Sequence, residues 1–171
     1  MARLSFAPVL GFALLAAFPV PAGAASKTKV VALGDPAPGG GVFAGPGFTA
    51  SPTAAGNGWL AFRTQVEGGG TGEAIVARRV LPPETSVEIA RLGLRAPGGG
   101  TFRQFVGKPV VNAAGDVAFT SLVTAGDDSD DPSLPSPAGV FLYRQSPPAG
   151  QDKLVAIVRS RQTTGSGTFD L

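Results

Sequence analysis

The chain has 171 residues, 43% of them hydrophobic and 15% charged, with a formal net charge of +2 and neither cysteine nor histidine. Without cysteine there is no disulfide scaffold, thiolate nucleophile or cysteine-ligated zinc. Without histidine the chain lacks the commonest metal ligand and the side chain that most often moves protons near neutral pH, which excludes Ser-His-Asp and Cys-His hydrolases and HExxH metalloproteases. The 25 glycines and 16 prolines favour many short elements joined by turns over long helices. The apolar fraction is too high for a disordered chain.

Residues 1–24 read as a signal peptide. Arg3 supplies the positive start, Leu4 to Val20 is an apolar run broken by Pro8 and Pro19, and Ala22-Gly23-Ala24 is the small-x-small pattern that signal peptidase reads. Cleavage is expected between Ala24 and Ala25, which delivers the protein to the periplasm or the extracellular space. Nothing later is apolar for long enough to span a bilayer. Removal of the leader takes Arg3 with it and lowers the net charge to +1. Lys and Arg are scattered, with only Arg78 and Arg79 adjacent, so a nucleic-acid partner is not expected.

The remainder repeats itself. Ala37-Pro38-Gly39-Gly40-Gly41-Val42-Phe43 returns as Ala96-Pro97-Gly98-Gly99-Gly100-Thr101-Phe102, an offset of 59. Gly58-Trp59-Leu60-Ala61-Phe62 matches Gly115-Asp116-Val117-Ala118-Phe119 at an offset of 57. Ala74–Arg78 matches Val140–Arg144 at 66, and Glu88–Arg91 matches Ala156–Arg159 at 68. Gly167-Thr168-Phe169 then restarts the Gly-Thr-Phe of residues 100–102. Four ordered matches with drifting offsets describe one unit copied with loop insertions: 25–92 as the first repeat, 93–159 as the second, and 160–171 as the start of a truncated third. On this reading the chain is the front part of a longer array.

Each unit reads as four strands, which in the second copy are Lys108–Asn112, Asp116–Val123, Gly139–Arg144 and Leu154–Arg159. Asn112-Ala113-Ala114-Gly115 is a tight turn, and Asn57-Gly58 is a hairpin signal in the first copy. Val117 and Phe119 point one way, Ala118 and Leu122 the other, and Val140 to Tyr143 leave almost no polar face. A strand apolar on both sides must be covered on both sides. The expected fold is therefore all-β, with tandem four-stranded antiparallel blade-like repeats of an incomplete β-propeller. A β-sandwich is the alternative, and it accounts for the strands without accounting for the repetition.

Asn112-Ala113-Ala114-Gly115-Asp116-Val117-Ala118-Phe119 resembles the signature of bacterial exported tandem-repeat proteins with an NxxGxVAF motif, of the choice-of-anchor type. Gly34-Asp35-Pro36-Ala37-Pro38-Gly39 is similar to the segment that precedes each copy in those proteins. The first copy keeps Gly58, Ala61 and Phe62 but has Ala55 for the Asn and Leu60 for the Val. The resemblance implies export, a repeat β-fold and often a surface-sorting anchor; it implies no particular reaction. No anchor is visible within residues 1–171.

Few residues offer chemistry. Pro38–Gly41 and Pro97–Gly100 lack the Lys and the helix of a phosphate loop and read as turns between repeats. Asp127-Asp128-Ser129-Asp130-Asp131 is the one concentrated run of charge. Asp128, Asp130 and Asp131 are a weak candidate set for Ca²⁺, which takes about six to eight oxygens; a solvated loop continued by Pro132 to Pro137 is the plainer reading. Otherwise no cofactor is expected. Asp35, Glu73, Glu88 and Asp116 are scattered rather than paired as acid and base. Trp59 and Tyr143 read as core, and Asn112 as a turn-fixing residue. The expected function is a non-enzymatic binding or structural module, secreted or displayed at the cell surface. Its partner would be an extracellular ligand or a cell-surface component, met by the insertions 66–72 and 124–138. Self-association through an exposed sheet is also expected. The alternatives are an exported propeller-type hydrolase or lyase acting on carbohydrate, with its catalytic part incomplete here, and a nonfunctional truncated product.

Overall fold

Short runs of β-branched and aromatic residues, each ended by Gly, Pro or Asn, form strands throughout the computed structural model. It describes residues 29–69, 72–124 and 137–160, together with the backbone of 163–164 and 167–168. The expected leader 1–24 and the candidate ligands Asp128, Asp130 and Asp131 lie outside the described residues.

Two antiparallel sheets follow one another along the chain. The first contains β1 (Val42–Phe48), β2 (Thr53–Ala54), β3 (Trp59–Glu67), β4 (Gly72–Arg79) and β5 (Thr85–Arg91) in the order β1-β3-β4-β5, with β2 paired to β3. The second contains β6 (Phe102–Val111), β7 (Val117–Val123), β8 (Ala138–Tyr143) and β9 (Leu154–Arg159) in the order β6-β7-β8-β9. A separate pair is formed by β10 (Thr163–Thr164) and β11 (Gly167–Thr168). Gly56–Gly58 makes a single 3₁₀ turn, and no α-helix occurs among the described residues. The fold is all-β, with two sheets that a sandwich describes as well as a pair of blades does.

Two expectations need correction. The first strand of the second sheet begins at Phe102 rather than Lys108 and carries a bulge between Val106 and Val110. There the chain passes through Gly107, just ahead of the expected start, and through Pro109, which the expected strand already contained. The offset of 66 between Ala74–Arg78 and Val140–Arg144 is also wrong by one. Ala61 pairs with Ala77 and Phe62 with Val76, whereas Ala118 pairs with Leu142 and Phe119 with Phe141. With Phe62 set on Phe119, Val76 therefore falls on Phe141, an offset of 65. In a strand one residue of slip moves every side chain to the opposite face, so this correction decides which face each residue covers.

The turns that lead into the two sheets share their hydrogen bonds. Gly34 N donates to Phe43 O at 2.8 Å and Gly93 N to Phe102 O at 2.8 Å; Ala37 N donates to Gly41 O and Ala96 N to Gly100 O, both at 2.9 Å. Phe43 N to Asp35 O and Phe102 N to Leu94 O, again both 2.9 Å, complete a set at one constant spacing.

The sheets pack face to face. One core joins Trp59, Ala61, Ile75, Ala77, Ile89 and Ala90 of the first to Phe102, Phe105, Val117, Phe119, Phe141 and Tyr143 of the second. At its centre Phe102 lies 5.1–5.8 Å, ring to ring, from Phe105, Phe119 and Phe141. The opposite face of the first sheet holds its own cluster of Phe43, Phe62, Val66, Ala74 and Val76, packed by Val30 and Val31. Among the described residues no helix is long and apolar enough to cross a membrane.

Candidate functional site

Antiparallel hairpins send alternate connections to opposite ends of a sheet, and the two ends differ in chemistry. One end carries the motif turns. Asn112 Oδ1 accepts from the N–H groups of Ala114 and Asp116, each at 2.9 Å, and Asn112 Nδ2 donates to Asp116 Oδ2 at 3.0 Å. Asp116 Oδ1 accepts from Gln145 N at 3.0 Å, and the Tyr143 hydroxyl donates to Gln145 Oε1 at 3.1 Å. Burial, with the Asp116 carboxylate nearby, raises the pKa of Tyr143 above its ordinary 10.0. Asn57 Nδ2 reaches across to Ala113 O at 3.3 Å. Gly115 packs on the indole of Trp59, while Gly58 lies under Leu81.

The motif side chains thus form a scaffold rather than a pocket. Val117 and Phe119 enter the core between the sheets, as does Ala61 from the first sheet. Phe62 belongs to the cluster on the outer face of the first sheet, and Ala118 lies half-buried on the outer face of the second.

The other end gathers the glycine-rich turns and the described ends of the insertions, residues 66–69 and Thr124. Thr101 N donates to Thr124 Oγ1 at 2.8 Å, and Thr124 N donates to Thr101 O at 2.9 Å, so the turn 96–100 lies beside the start of the long insertion. The turn 37–41 lies likewise against Glu67 and Gly68. Each sheet ends its last strand on an arginine that reaches back to its own turn. Arg91 donates to Gly40 O at 3.0 Å and is paired with the carboxylate of Glu88. Arg159, at the corresponding place in β9, donates to Pro97 O at 3.5 Å. Where the first sheet has Glu88, the second has Ala156. Burial works against the charge of Arg159, and no carboxylate among the described residues pairs with it. A half-buried guanidinium beside a glycine-rich turn is suited to an anion.

The four scattered carboxylates do not converge. Asp35 pairs with Lys29 at 3.1 Å and accepts from Ala32 N, which lowers its pKa. Glu73 is held by Arg63, whose Nη1 also donates to Gly107 O of β6 at 2.7 Å. Glu88 is taken by Arg91 and Asp116 by the motif turn. Among the described residues no group of three or more such side chains could hold a metal. Sequence reading missed Arg63, because its partner is chosen by the β3–β4 register. It also passed over Arg159, although the match of Glu88–Arg91 to Ala156–Arg159 contained the clue: one arginine kept, its carboxylate lost.

A family model described as a family of unknown function (DUF7453) matches residues 20–168. No curated protein matches the chain, and no solved structure does.

Proposed function

The chain belongs to this family of unknown function (DUF7453), and we propose that it is an exported, non-enzymatic β-repeat module that binds a component outside the cell. On this reading residues 25–92 and 93–159 are two blade-like repeats of the NxxGxVAF type, stacked as in a propeller, and 1–24 is the leader. The shared turn hydrogen bonds at a spacing of 59, with the matched registers of β3–β4 and β7–β8, support the repetition.

The observation that carries the binding role is the division of labour between the two ends. The motif end is closed by its own hydrogen bonds. The insertion end combines two glycine-rich turns, the described bases of two insertions and the Arg159 guanidinium, for which no carboxylate partner stands among the described residues. Rigid sheets displaying variable connections at one end are a common basis for recognition. The ligand class that fits Arg159 is a carboxylate or another anionic group at the cell surface.

The test has two parts. The amino-terminal residue of the protein recovered outside the cytoplasm should be Ala25. The protein should also co-sediment with the producing cell's envelope, and Arg159→Gln should weaken that retention about tenfold, as loss of a charge-assisted contact of roughly 1.4 kcal/mol would. Retention of the natural chain and the variant to the same degree, or of neither, removes this reading of the site.

A further inference from the structure

A bulge at the same point of β5 and β9 sets an arginine and the residue three before it on one face. In β5 Ala74 pairs with Arg91, Ile75 with Ala90 and Val76 with Glu88, leaving Ile89 as the bulge. In β9 Gly139 pairs with Arg159, Val140 with Val158 and Phe141 with Ala156, leaving Ile157 as the bulge. Residues three apart in a regular strand face opposite ways, and the extra residue of a bulge returns them to one side. The bulge is kept although its cover is not, Ile89 being 7% exposed and Ile157 57%. Glu88 and Arg91 therefore meet on one face of the first sheet, and Ala156 and Arg159 occupy the same two places in the second.

The first sheet shows what those two places hold. Arg91 Nε donates to both carboxylate oxygens of Glu88 at 3.1 Å, and Arg91 Nη2 donates to Gly40 O at 3.0 Å. The carboxylate lies against Gly39, where a β-carbon would collide with both of its oxygens. With side chains 4% and 11% exposed, the arrangement is closed. The second sheet repeats it with one part changed. Ala156 offers no carboxylate, and the Arg159 guanidinium lies against Gly98, its Nη1 3.0 Å from where a β-carbon would stand. It thus leans into the place that the Glu88 carboxylate holds over Gly39. Its bond to Pro97 O is 3.5 Å long, at the limit of a hydrogen bond. Gly98 is exposed and Arg159 half-buried, so this place opens to solvent.

We infer that the second sheet takes from a partner the carboxylate that the first sheet supplies to itself: a glutamate side chain of an acidic peptide enters beside Ala156 and Gly98 and pairs with Arg159 as Glu88 pairs with Arg91. This role for Arg159 rests on the reading of the insertion end as the binding face and names the group bound there. Alanine in place of glutamate leaves room for the methylenes of the incoming side chain, and Ala156, packed on the core between the sheets, gives them an apolar flank. The guanidinium then trades its long bond to Pro97 for two bonds to the carboxylate. A planar carboxylate meets the guanidinium fork with one charge against one. A phosphate monoester would bring about −1.5 to −2 to a place that, in the first sheet, holds a single negative charge.

Calorimetry of the full chain with millimolar oligoglutamate tests this, with oligoglutamine and inorganic phosphate as comparisons. The natural chain should bind oligoglutamate, bind phosphate at least about tenfold more weakly and give no heat with oligoglutamine. Arg159→Gln should weaken the binding of oligoglutamate about tenfold. Ala156→Glu should abolish it, since the chain then supplies the carboxylate, and should raise the Tm; Ala156→Gln, of the same shape without the charge, should not raise it. If circular dichroism shows Ala156→Glu unfolded, Arg159→Gln carries the test. No heat from oligoglutamate, phosphate bound as tightly, or binding unchanged in Arg159→Gln would each overturn the inference. So would a folded Ala156→Glu that still binds or that melts no higher than Ala156→Gln. Envelope retention that Arg159→Gln weakens, in a chain that gives no heat with oligoglutamate, leaves the anion site standing and removes the glutamate alone. Oligoglutamate binding that Arg159→Gln weakens, in a chain that the envelope does not retain, supports the glutamate and removes the cell-surface component.

Discussion

Gly115 of the second sheet's motif turn lies against the ring of Trp59 in the first, so close that a β-carbon at 115 would stand 2.5 Å from Trp59 Cε2 and 2.9 Å from Nε1. Its φ of 89° is also one that L side chains rarely adopt. The motif glycine therefore serves two purposes: it closes the β6–β7 hairpin and lets the hairpin dock on the neighbouring sheet. Gly115→Ala should destabilise the protein by about 2–4 kcal/mol, from the backbone conformation and the forced shift of the indole together. Gly150→Ala, at φ 78° with nothing within 4 Å, should cost only about 1–2 kcal/mol. Chemical denaturation followed by the fluorescence of the single tryptophan compares them, and equal losses would remove the role given to Trp59.

The core between the sheets depends on Phe102, which is fully buried and contacts three other phenylalanine rings. Phe102→Ala should cost about 3–5 kcal/mol, because the rings around it belong to three different strands and cannot all close on the space left. Thermal unfolding reads the loss. A cost below that of an ordinary leucine truncation would mean that the sheets slide together, and the core would then be less well defined than its ring contacts indicate.

Arg63 and Glu73 are paired across β3 and β4 with side chains 14% and 7% exposed, and Arg63 also bonds to β6. Removal of one partner strands the other charge in the interior, so Arg63→Met and Glu73→Met should each cost about 3–5 kcal/mol. The double variant should recover a large part of that loss, since no unpaired charge remains. A double-mutant cycle measures the coupling, and simple additivity would sink the claim that the pair acts as a unit.

Tyr143 is the single tyrosine of the chain, so its ionisation can be followed directly by tyrosinate absorbance. Burial, and secondarily Asp116, raises its pKa above the ordinary 10.0. A pKa raised on folding contributes stability that is complete below the unfolded value and disappears as pH rises through the folded one. The native protein should therefore titrate later than the unfolded chain, and its stability should fall as pH climbs above about 10. Tyr143→Phe should remove this part of the alkaline loss. Native and unfolded titrations that coincide would contradict the burial of the phenol.

Much of the local structure was legible because it rests on near neighbours in sequence. Asn112 and Gly115 announce their turn, since a side-chain acceptor and a residue tolerant of positive φ are what such a hairpin needs. The limits of Leu154–Arg159 follow from the apolar run and the turn residues around it, and those of β7 to within one residue, since the expected Asp116 belongs to the turn and the strand starts at Val117. Double-sided apolarity at Val140–Tyr143 called for cover on both faces, and the core between the sheets provides it on one. The start of β6 was not legible, because a strand that continues across Gly107 by bulging is held by its partner β7 and not by its own composition.

The sequence alone determined that this chain is built of short antiparallel strands, where most of them lie, and that its two halves share turns and strand patterns. Only the tertiary structure decided the register. It set the spacing at 65, paired Arg63 with Glu73, and made bulges of Ile89 and Ile157, because a two-residue alternation is equally satisfied by either slip until a facing strand selects one. It also decided that one isoleucine is covered and its counterpart left open, since cover depends on which sheet stands opposite.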